Sequence, residues 1–113
     1  GKLSEPSSTA YDISKAGLEA ATRTVALELA ENGVLVNAVA PGFVVTRMSI
    51  VDGQDELESD WFKNIYIKNK RLPIARPAQP VEIAQGIAWL ASKSNTYMTG
   101  QTVTIDGGLS ARF

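Results

Sequence analysis

The amino-acid sequence predicts an α/β fold built on parallel strands. Two apolar runs, residues 34–40 and 101–105, each follow a segment with helical features, so the order is helix, strand, excursion, helix, strand. The first run is continuously apolar rather than alternating, which is typical of a parallel strand covered on both faces. A helical connection between the two strands favours a parallel pair.

A long helix is predicted over residues 9–31. Thr9, with Asp12 three residues later, resembles a capping box, and the segment that follows contains no Pro and only one Gly. Small and apolar residues cover more than one face of this helix, which favours packing on two sides. Asn32-Gly33 provides a glycine cap at its end.

The first strand is predicted over Val34 to Ala40 and ends at Pro41-Gly42. Within it, Asn37 is expected to satisfy backbone groups. A polar excursion follows at about residues 46–72. Its aromatic residues are Trp61, Phe62 and Tyr66.

The excursion is expected to contain a short amphipathic helix, because Leu57, Trp61 and Ile65 fall at i, i+4 and i+8. Pro80 suits the first turn of another helix that runs to about Ser92. The expected buried stripe of that helix is Ile83, Ile87 and Leu90.

Gln101 to Ile105 is predicted to be the second strand, closed by a turn at residues 106–108. Two strands do not make a stable parallel sheet, and the first would expose an unpaired apolar edge. The chain is therefore expected to be part of a larger sheet.

Composition excludes several classes of function. The 113 residues carry a net charge of −1, with neither Cys nor His. A charge near zero argues against nucleic-acid binding, and no apolar run is long enough to span a membrane. Without His or Cys there is no Ser-His-Asp triad, no thiolate or His-ligated metal site and no disulfide, which fits a cytoplasmic location. Proton chemistry must then use Asp, Glu, Lys or Tyr.

Tyr11 and Lys15 are the first candidates for chemistry, since four residues of separation place them on one helix face. Tyr66 and Lys70 have the same spacing, and for an isolated pair a solvated helix face is the more common interpretation. Context separates the two pairs. Tyr11 opens a long helix that leads into the predicted strand, whereas Tyr66 lies in the polar excursion.

Four blocks of sequence resemble the short-chain dehydrogenase/reductase family, in that family's order and spacing. The blocks are Tyr11-Asp-Ile-Ser-Lys15; Val36-Asn-Ala-Val-Ala-Pro-Gly-Phe-Val44-Val-Thr46; Pro73-Ile-Ala-Arg76-Pro-Ala-Gln-Pro80-Val-Glu82-Ile-Ala84 with Trp89-Leu-Ala-Ser92; and Thr99-Gly100-Gln-Thr-Val-Thr-Ile-Asp106-Gly-Gly108. The resemblance covers essentially the whole chain. It implies that residues 1–113 are the C-terminal half of a Rossmann-like doubly wound parallel sheet, in one domain.

The resemblance also identifies what these blocks do not contain. The family's Gly-rich turn, which holds the cofactor pyrophosphate, belongs to an earlier block. So do the family's catalytic Ser and the residue that selects NAD or NADP. The sequence therefore leaves the choice between NAD and NADP open.

The roles implied by the resemblance fall on a few residues. Tyr11 is the expected general acid/base of an alcohol/carbonyl oxidoreductase, and Lys15 favours its phenolate and binds the nicotinamide ribose. Pro41 and Gly42 let the backbone approach the nicotinamide. The carboxamide is expected to meet the backbone of the residue at Val44 and a hydroxyl at Thr46.

Trp61, Phe62 and Tyr66 have two open interpretations: a lid over the substrate, or ordinary packing. Asp106 with the glycines after it is expected to form a turn rather than a catalytic group.

Function also has alternatives. The chain could be part of an NAD(P)-dependent oxidoreductase for a small alcohol/carbonyl substrate, acting as a homo-oligomer or with a complementary N-terminal half. It could instead be a catalytically silent fragment that acts only in association. An unrelated small α/β binding domain would require all four blocks to be accidental.

Overall fold

The computed structural model describes residues 8–51 and 53–111. The chain forms two compact units, one of Gly1–Val39 with Trp89–Val103 and the other of Ala40–Ala88 with Thr104–Phe113. The helices and strands, in chain order, are α1 (Thr9–Leu29), β1 (Ala38–Pro41), β2 (Ile50–Val51), β3 (Gln54–Asp55), α2 (Asp60–Phe62), α3 (Pro80–Ala91) and β4 (Thr102–Ile105). The predicted order of helices and of parallel strands is confirmed.

The cap of helix α1 lies one residue before the predicted one. Ser8 occupies the cap position, Thr9 is the first helical residue, and Ser8 Oγ donates to Asp12 Oδ2 at 3.0 Å. The predicted Thr9–Asp12 capping box is therefore wrong, because the start at Ser8 places Asp12 four residues away instead of three. The predicted glycine cap is confirmed: Gly33 has φ 73°, and its N–H donates to the Ala30 carbonyl at the end of a 3₁₀ turn.

Helix α1 buries one narrow face within the described residues. Thr22 and Ala26 are its buried positions, and Ala26 lies against Gly100, where an added Cβ would be 3.5 Å away. By contrast, Ile13 is 67% exposed and Leu27 is 81% exposed. The expected packing on two sides is thus absent from the part of the chain that the structure describes.

Strand β1 is shorter than the apolar run that predicts it. Residues 34–37 lie outside the strand, and side chains take part in holding them: Val36 N–H donates to Thr99 Oγ1 at 2.9 Å, while the Val36 carbonyl accepts from Gly100 N–H at 2.7 Å. Asn37 satisfies backbone groups as predicted, donating to the Met98 carbonyl and accepting from Gln101 N–H. The strand begins only after this side-chain clamp.

Strands β1 and β4 pair in a two-stranded sheet. In the first unit Ala38 N–H donates to the Gln101 carbonyl at 2.9 Å. In the second unit Gly42 N–H donates to the Ile105 carbonyl at 3.0 Å. The two bonds join residues with the same separation along the chain, which is the pattern of parallel strands. The predicted parallel pair is confirmed.

The excursion contains structure that the sequence does not predict. Strands β2 and β3 form an antiparallel hairpin, with Ile50 opposite Asp55. A 3₁₀ turn at Glu56–Glu58 follows, and Ser59 Oγ then accepts from Phe62 N–H as the cap of α2. Helix α2 continues as a π-helix over Lys63–Lys68.

The predicted amphipathic stripe of Leu57, Trp61 and Ile65 is wrong. Trp61 is 63% exposed, while its neighbour Phe62 is buried with Leu57 and Leu72. Leu57 lies in the 3₁₀ turn, on the other side of the Ser59 cap, so it does not continue the helical register. The π-helix, whose bonds run from i to i+5, also shifts which residues share a face. Phe62 is therefore the core residue of this segment.

Helix α3 has the predicted start at Pro80 and ends one residue before the predicted boundary. Its buried residue is Ile83, whereas Ile87 is 50% exposed, so the predicted stripe holds only in part. An added Cβ at Gly86 would lie 2.5 Å from Ile105 Cδ1, so this glycine lets α3 lie directly against the end of β4.

A bidentate ion pair fixes the residues that precede α3. Arg76 Nη1 and Nη2 donate to the two carboxylate oxygens of Glu82 at 2.7 and 2.9 Å, and Gln79 N–H donates to Glu82 Oε1. The Arg76 guanidinium, with help from Gln79 N–H, lowers the pKa of Glu82 to about 2.

We expect this ion pair to give a pH-dependent contribution to stability. The folded pKa of Glu82 lies below its ordinary value of 4.5, so the contribution is complete above about pH 4.5 and is lost as the pH falls towards 2. The pair is exposed, so the loss is expected to be small. Urea midpoints of the chain at about pH 6 and about pH 2.5 would measure it. An equal drop in the urea midpoint between the two pH values in the wild type and in Glu82→Gln would contradict the prediction.

Candidate active site

Tyr11 and Lys15 lie together in the first turns of α1. Lys15 Nζ is 5.3 Å from the centroid of the Tyr11 ring, and Tyr11 is 59% exposed. The separation of four residues along a regular helix produces this contact, as the sequence predicts. A cation close to the ring of a phenol favours negative charge on that phenol's oxygen. The pair thus has the access and the charge that proton transfer requires.

The second Tyr-x-x-x-Lys pair has a different geometry. Tyr66 lies within the π-helix, and its ring packs against Phe43 at 4.8 Å and Phe62 at 5.1 Å between centroids. Lys70 lies beyond the end of that helix with φ 57°. Equal spacing in sequence therefore gives a shared helix face only at Tyr11 and Lys15.

Pro41 and Gly42 mark the end of β1 in the second unit. An added Cβ at Gly42 would lie 2.8 Å from the Cα and Cβ atoms of Asp106, closer than real Cβ atoms come to backbone. Only glycine allows this approach, because the obstructing Cα belongs to the backbone and cannot move alone. The segment after Pro41 therefore packs directly against the turn that follows β4.

The backbone N–H and C=O of Val44 face away from the segment that its neighbours bind. Its neighbours are bonded to Ala78: Ala78 N–H donates to the Phe43 carbonyl at 2.8 Å, and Val45 N–H donates to the Ala78 carbonyl at 2.9 Å. In such a parallel bridge the N–H and C=O of the central residue point the other way. No hydrogen bond to another described residue occupies the N–H or C=O of Val44.

Thr46 is exposed and extended two residues later, with φ −142° and ψ 176°. Its carbonyl accepts from both Ser49 N–H and Ser49 Oγ, which begins the next 3₁₀ turn. Its hydroxyl makes no hydrogen bond within the described part of the chain. Val44 and Thr46 therefore offer a backbone edge and a hydroxyl on one short segment.

The three aromatic residues of the excursion differ in how far they are packed. Phe62 and Tyr66 pack with Phe43, whose ring lies 4.9 Å from that of Phe62 in an edge-to-face arrangement. Trp61 contacts Tyr66 edge-on at 5.9 Å and is otherwise exposed. Sequence reasoning missed Phe43, although an aromatic residue directly after Pro-Gly is a signal for an anchor at a strand end.

An open cavity of about 490 Å³ lies beside this aromatic group. Phe62 and Ile67 form part of its apolar wall, and Lys68 and Arg76 also line it. Trp61 and Tyr66 do not line this cavity. Of the three aromatic residues, only Phe62 belongs to it.

The candidate residues fall in different units. Tyr11 and Lys15 belong to the first unit, whereas the segment 41–46 and the aromatic residues of the excursion belong to the second. Across residues 8–51 and 53–111, no helix has the length and apolar character needed to cross a membrane.

Comparisons with known proteins give consistent results. A family profile described as enoyl-(acyl carrier protein) reductase matches residues 1–110. The chain is 38% identical over 109 residues to 3-oxoacyl-(acyl-carrier-protein) reductase FabG of Chlamydia pneumoniae, covering 96% of this chain and 41% of that protein. It is also 38% identical over 110 residues to glucose 1-dehydrogenase of Gluconobacter oxydans, covering 96% of this chain and 38% of that protein.

A solved structure agrees in fold. The NADPH-bound short chain oxidoreductase of Pseudomonas aeruginosa superposes with a TM-score of 0.77 at 32% identity, covering 96% of this chain and 42% of that one. The chain thus spans about two fifths of the length of the relatives it matches. Because the family profile and these oxidoreductases cover nearly all of its residues, the chain belongs to the short-chain dehydrogenase/reductase family.

Proposed function

We propose that residues 1–113 are the catalytic part of an NAD(P)-dependent oxidoreductase that transfers hydride between nicotinamide and an alcohol/carbonyl substrate. The observation that carries this proposal is the placement of Lys15 Nζ 5.3 Å from the exposed Tyr11 ring in a chain of this family. In the reductive direction Tyr11 donates its phenolic proton to the substrate oxygen, and in the oxidative direction it accepts that proton. Lys15 stabilises the phenolate between these events.

The residues of segment 41–46 fit the nicotinamide end of such a cofactor. An amide requires one acceptor and one donor, and the unused C=O and N–H of Val44 offer both. The Thr46 hydroxyl is an additional partner, and Gly42 keeps the backbone of Pro41 and Gly42 free of side-chain bulk. When bound, the nicotinamide supplies or accepts the hydride. Lys15 is proposed to hold the ribose hydroxyls, and the choice between NAD and NADP lies outside these residues.

We assign the substrate-facing part of the excursion to Trp61. Phe62 and Tyr66 are held in contact with Phe43, which supports a role in fixing the excursion in place. Trp61, the residue directly before Phe62, is exposed and can contact a substrate. The relatives bear the names of a 3-oxoacyl thioester reductase and a glucose dehydrogenase at equal identity, so a carbonyl or alcohol of a small molecule is the substrate class proposed.

The proposed reaction also requires a pyrophosphate site and a group that polarises the carbonyl. The blocks matched here contain neither, so we propose that both come from a Gly-rich N-terminal half, in the same polypeptide or in a partner. Assembly of a homo-oligomer is part of this proposal. A second candidate is a silent fragment that acts only by association, and the exposed Ile13 and Leu27 of α1 favour it.

A fused protein tests the proposal. It joins the part of Chlamydia pneumoniae FabG that precedes its matched region to residues 1–113. NADH and NADPH oxidation would be followed with acyl thioesters and ketones, and NAD⁺ and NADP⁺ reduction would be followed with sugars. We expect measurable turnover by the fused protein and none by the 113-residue chain alone. Turnover by the chain alone, at about 1 s⁻¹ or more, would show that no second half is needed.

Size-exclusion chromatography of the chain distinguishes the silent fragment from the oxidoreductase. Self-association without binding of NADH or NADPH, combined with a folded but inert fused protein, would favour the silent fragment. A monomeric chain that binds either cofactor would exclude it.

A further inference from the structure

The carboxylate of Asp106 holds the turn that follows β4. Asp106 Oδ1 accepts from Gly108 N–H at 3.0 Å, and Oδ2 accepts from Ser110 N–H at 2.9 Å and Ser110 Oγ at 2.6 Å. Partial burial opposes ionisation, but the hydrogen bonds from Ser110 and Gly108 outweigh it and lower the pKa of Asp106. The turn also contains two residues with positive φ, Gly107 at 63° and Gly108 at 91°. One carboxylate therefore holds a turn whose positive-φ positions are occupied by glycine, a residue that adopts them without strain.

This turn touches the start of the segment proposed to meet the cofactor. Gly42 N–H donates to the Ile105 carbonyl immediately before the turn. The Cα of Gly42 approaches Asp106 so closely that no side chain fits between them. A change in the path of the turn would therefore shift Gly42 and the residues after it.

The same turn supports the end of the excursion and the residues directly after it. Ile74 N–H donates to the Gly107 carbonyl at 3.0 Å. An added Cβ at Gly108 would lie 2.9 Å from Pro73 Cγ, so these two residues are in close contact. Leu109 packs against the apolar cluster that contains Phe62. The turn thus contacts both segments to which the proposed function assigns the nicotinamide and the substrate.

We propose that Asp106 is a positioning residue, whose carboxylate holds the turn at residues 106–110 so that Gly42 and Ile74 keep the cofactor segment and the excursion in fixed positions. This inference rests on the proposed function for the roles of those two segments. Asp106 acts through the backbone and touches neither substrate nor cofactor. Its hydrogen bonds join residues close in sequence. Their consequence is that the segments of Gly42 and Ile74, which are far apart in sequence, stay aligned.

Asp106→Asn is the informative substitution. The amide retains one oxygen that can accept from Gly108, but it presents an NH₂ group to the Ser110 N–H, and two donors repel. Ser110→Ala is a milder variant that removes only the bond from Oγ. Glu56→Gln is the matched control, because it neutralises an exposed carboxylate of the same unit whose side chain makes no hydrogen bond within the described residues.

Hydrogen exchange and steady-state kinetics of the fused protein test the proposal together. In Asp106→Asn we expect exchange of the Gly42 and Ile74 amides to accelerate on the order of tenfold, with a smaller change in Ser110→Ala. We expect KM for cofactor and substrate to rise on the order of tenfold, with kcat changed far less. A merely structural role would lower the amount of active protein and leave KM unchanged.

Two results would overturn the proposal. Exchange of Gly42 and Ile74 equal to that in Glu56→Gln would mean that the carboxylate does not hold these segments. Faster exchange with KM equal to that of the control would mean that the turn does not position the site. If the parent fused protein is inert with every substrate, the proposed function fails, whereas the exchange result still decides whether Asp106 holds the two segments.

Discussion

Replacing Tyr11 by Phe is expected to lower kcat of the fused protein by about 10²–10⁴-fold, the usual range for a lost general acid/base. The substitution removes only the hydroxyl, and the exposed ring at the start of α1 retains its contact with Lys15. The fold and the cofactor affinity are therefore expected to change little. Initial rates with saturating cofactor would measure kcat, and quenching of tryptophan fluorescence by NADH or NADPH would measure binding.

Tyr97→Phe is the matched control for Tyr11→Phe. Tyr97 is 98% exposed in the same unit, so loss of its hydroxyl is expected to leave kcat unchanged. Tyr66→Phe adds a comparison with the other Tyr-x-x-x-Lys pair and is expected to alter KM more than kcat. Activity of Tyr11→Phe within twofold of the parent would remove Tyr11 from the mechanism.

The elements that the sequence predicts best are those with local signals. Gly33 ends the 3₁₀ turn that follows α1 because a positive φ is needed there, and Pro80 starts α3 because a helix leaves its first N–H groups unbonded. Both signals act within a few residues of the boundary they determine. Strand β4 matches its prediction within one residue for a similar reason, since a turn rich in glycine follows it directly.

The excursion was less predictable because its packing depends on distant residues. Phe62 is buried and Trp61 is exposed because Phe43 and Leu72 lie on one side of the helix. Neither contact is visible in the periodicity of residues 57–65. The π-helix at Lys63–Lys68 has no simple sequence signal, and it changes the face on which later residues fall.

The same distinction applies to the candidate site. The proximity of Tyr11 and Lys15 follows from helical spacing, so the sequence alone predicts it. The direction of the Val44 N–H and C=O depends on a bridge to Ala78. The position of Gly42 depends on its close contact with Asp106. Both partners are far away in the sequence, so the resemblance to a family indicated these positions but could not supply their physical basis.

Replacing Lys15 by Met is expected to lower kcat of the fused protein on the order of 100-fold. The ammonium group near Tyr11 favours the phenolate, and Met keeps the length of the side chain without its charge. A contact with the cofactor ribose would add a rise in KM for the cofactor.

Lys15→Arg separates charge from geometry. It keeps the positive charge, so it is expected to restore most of kcat, while the wider guanidinium is expected to leave KM for the cofactor raised. Lys93→Met is the matched control, since Lys93 is an exposed lysine of the same unit. A kcat of Lys15→Met equal to that of the control would mean that the ammonium does not act on Tyr11. In that case the contact between the two side chains would be an ordinary feature of a solvated helix face.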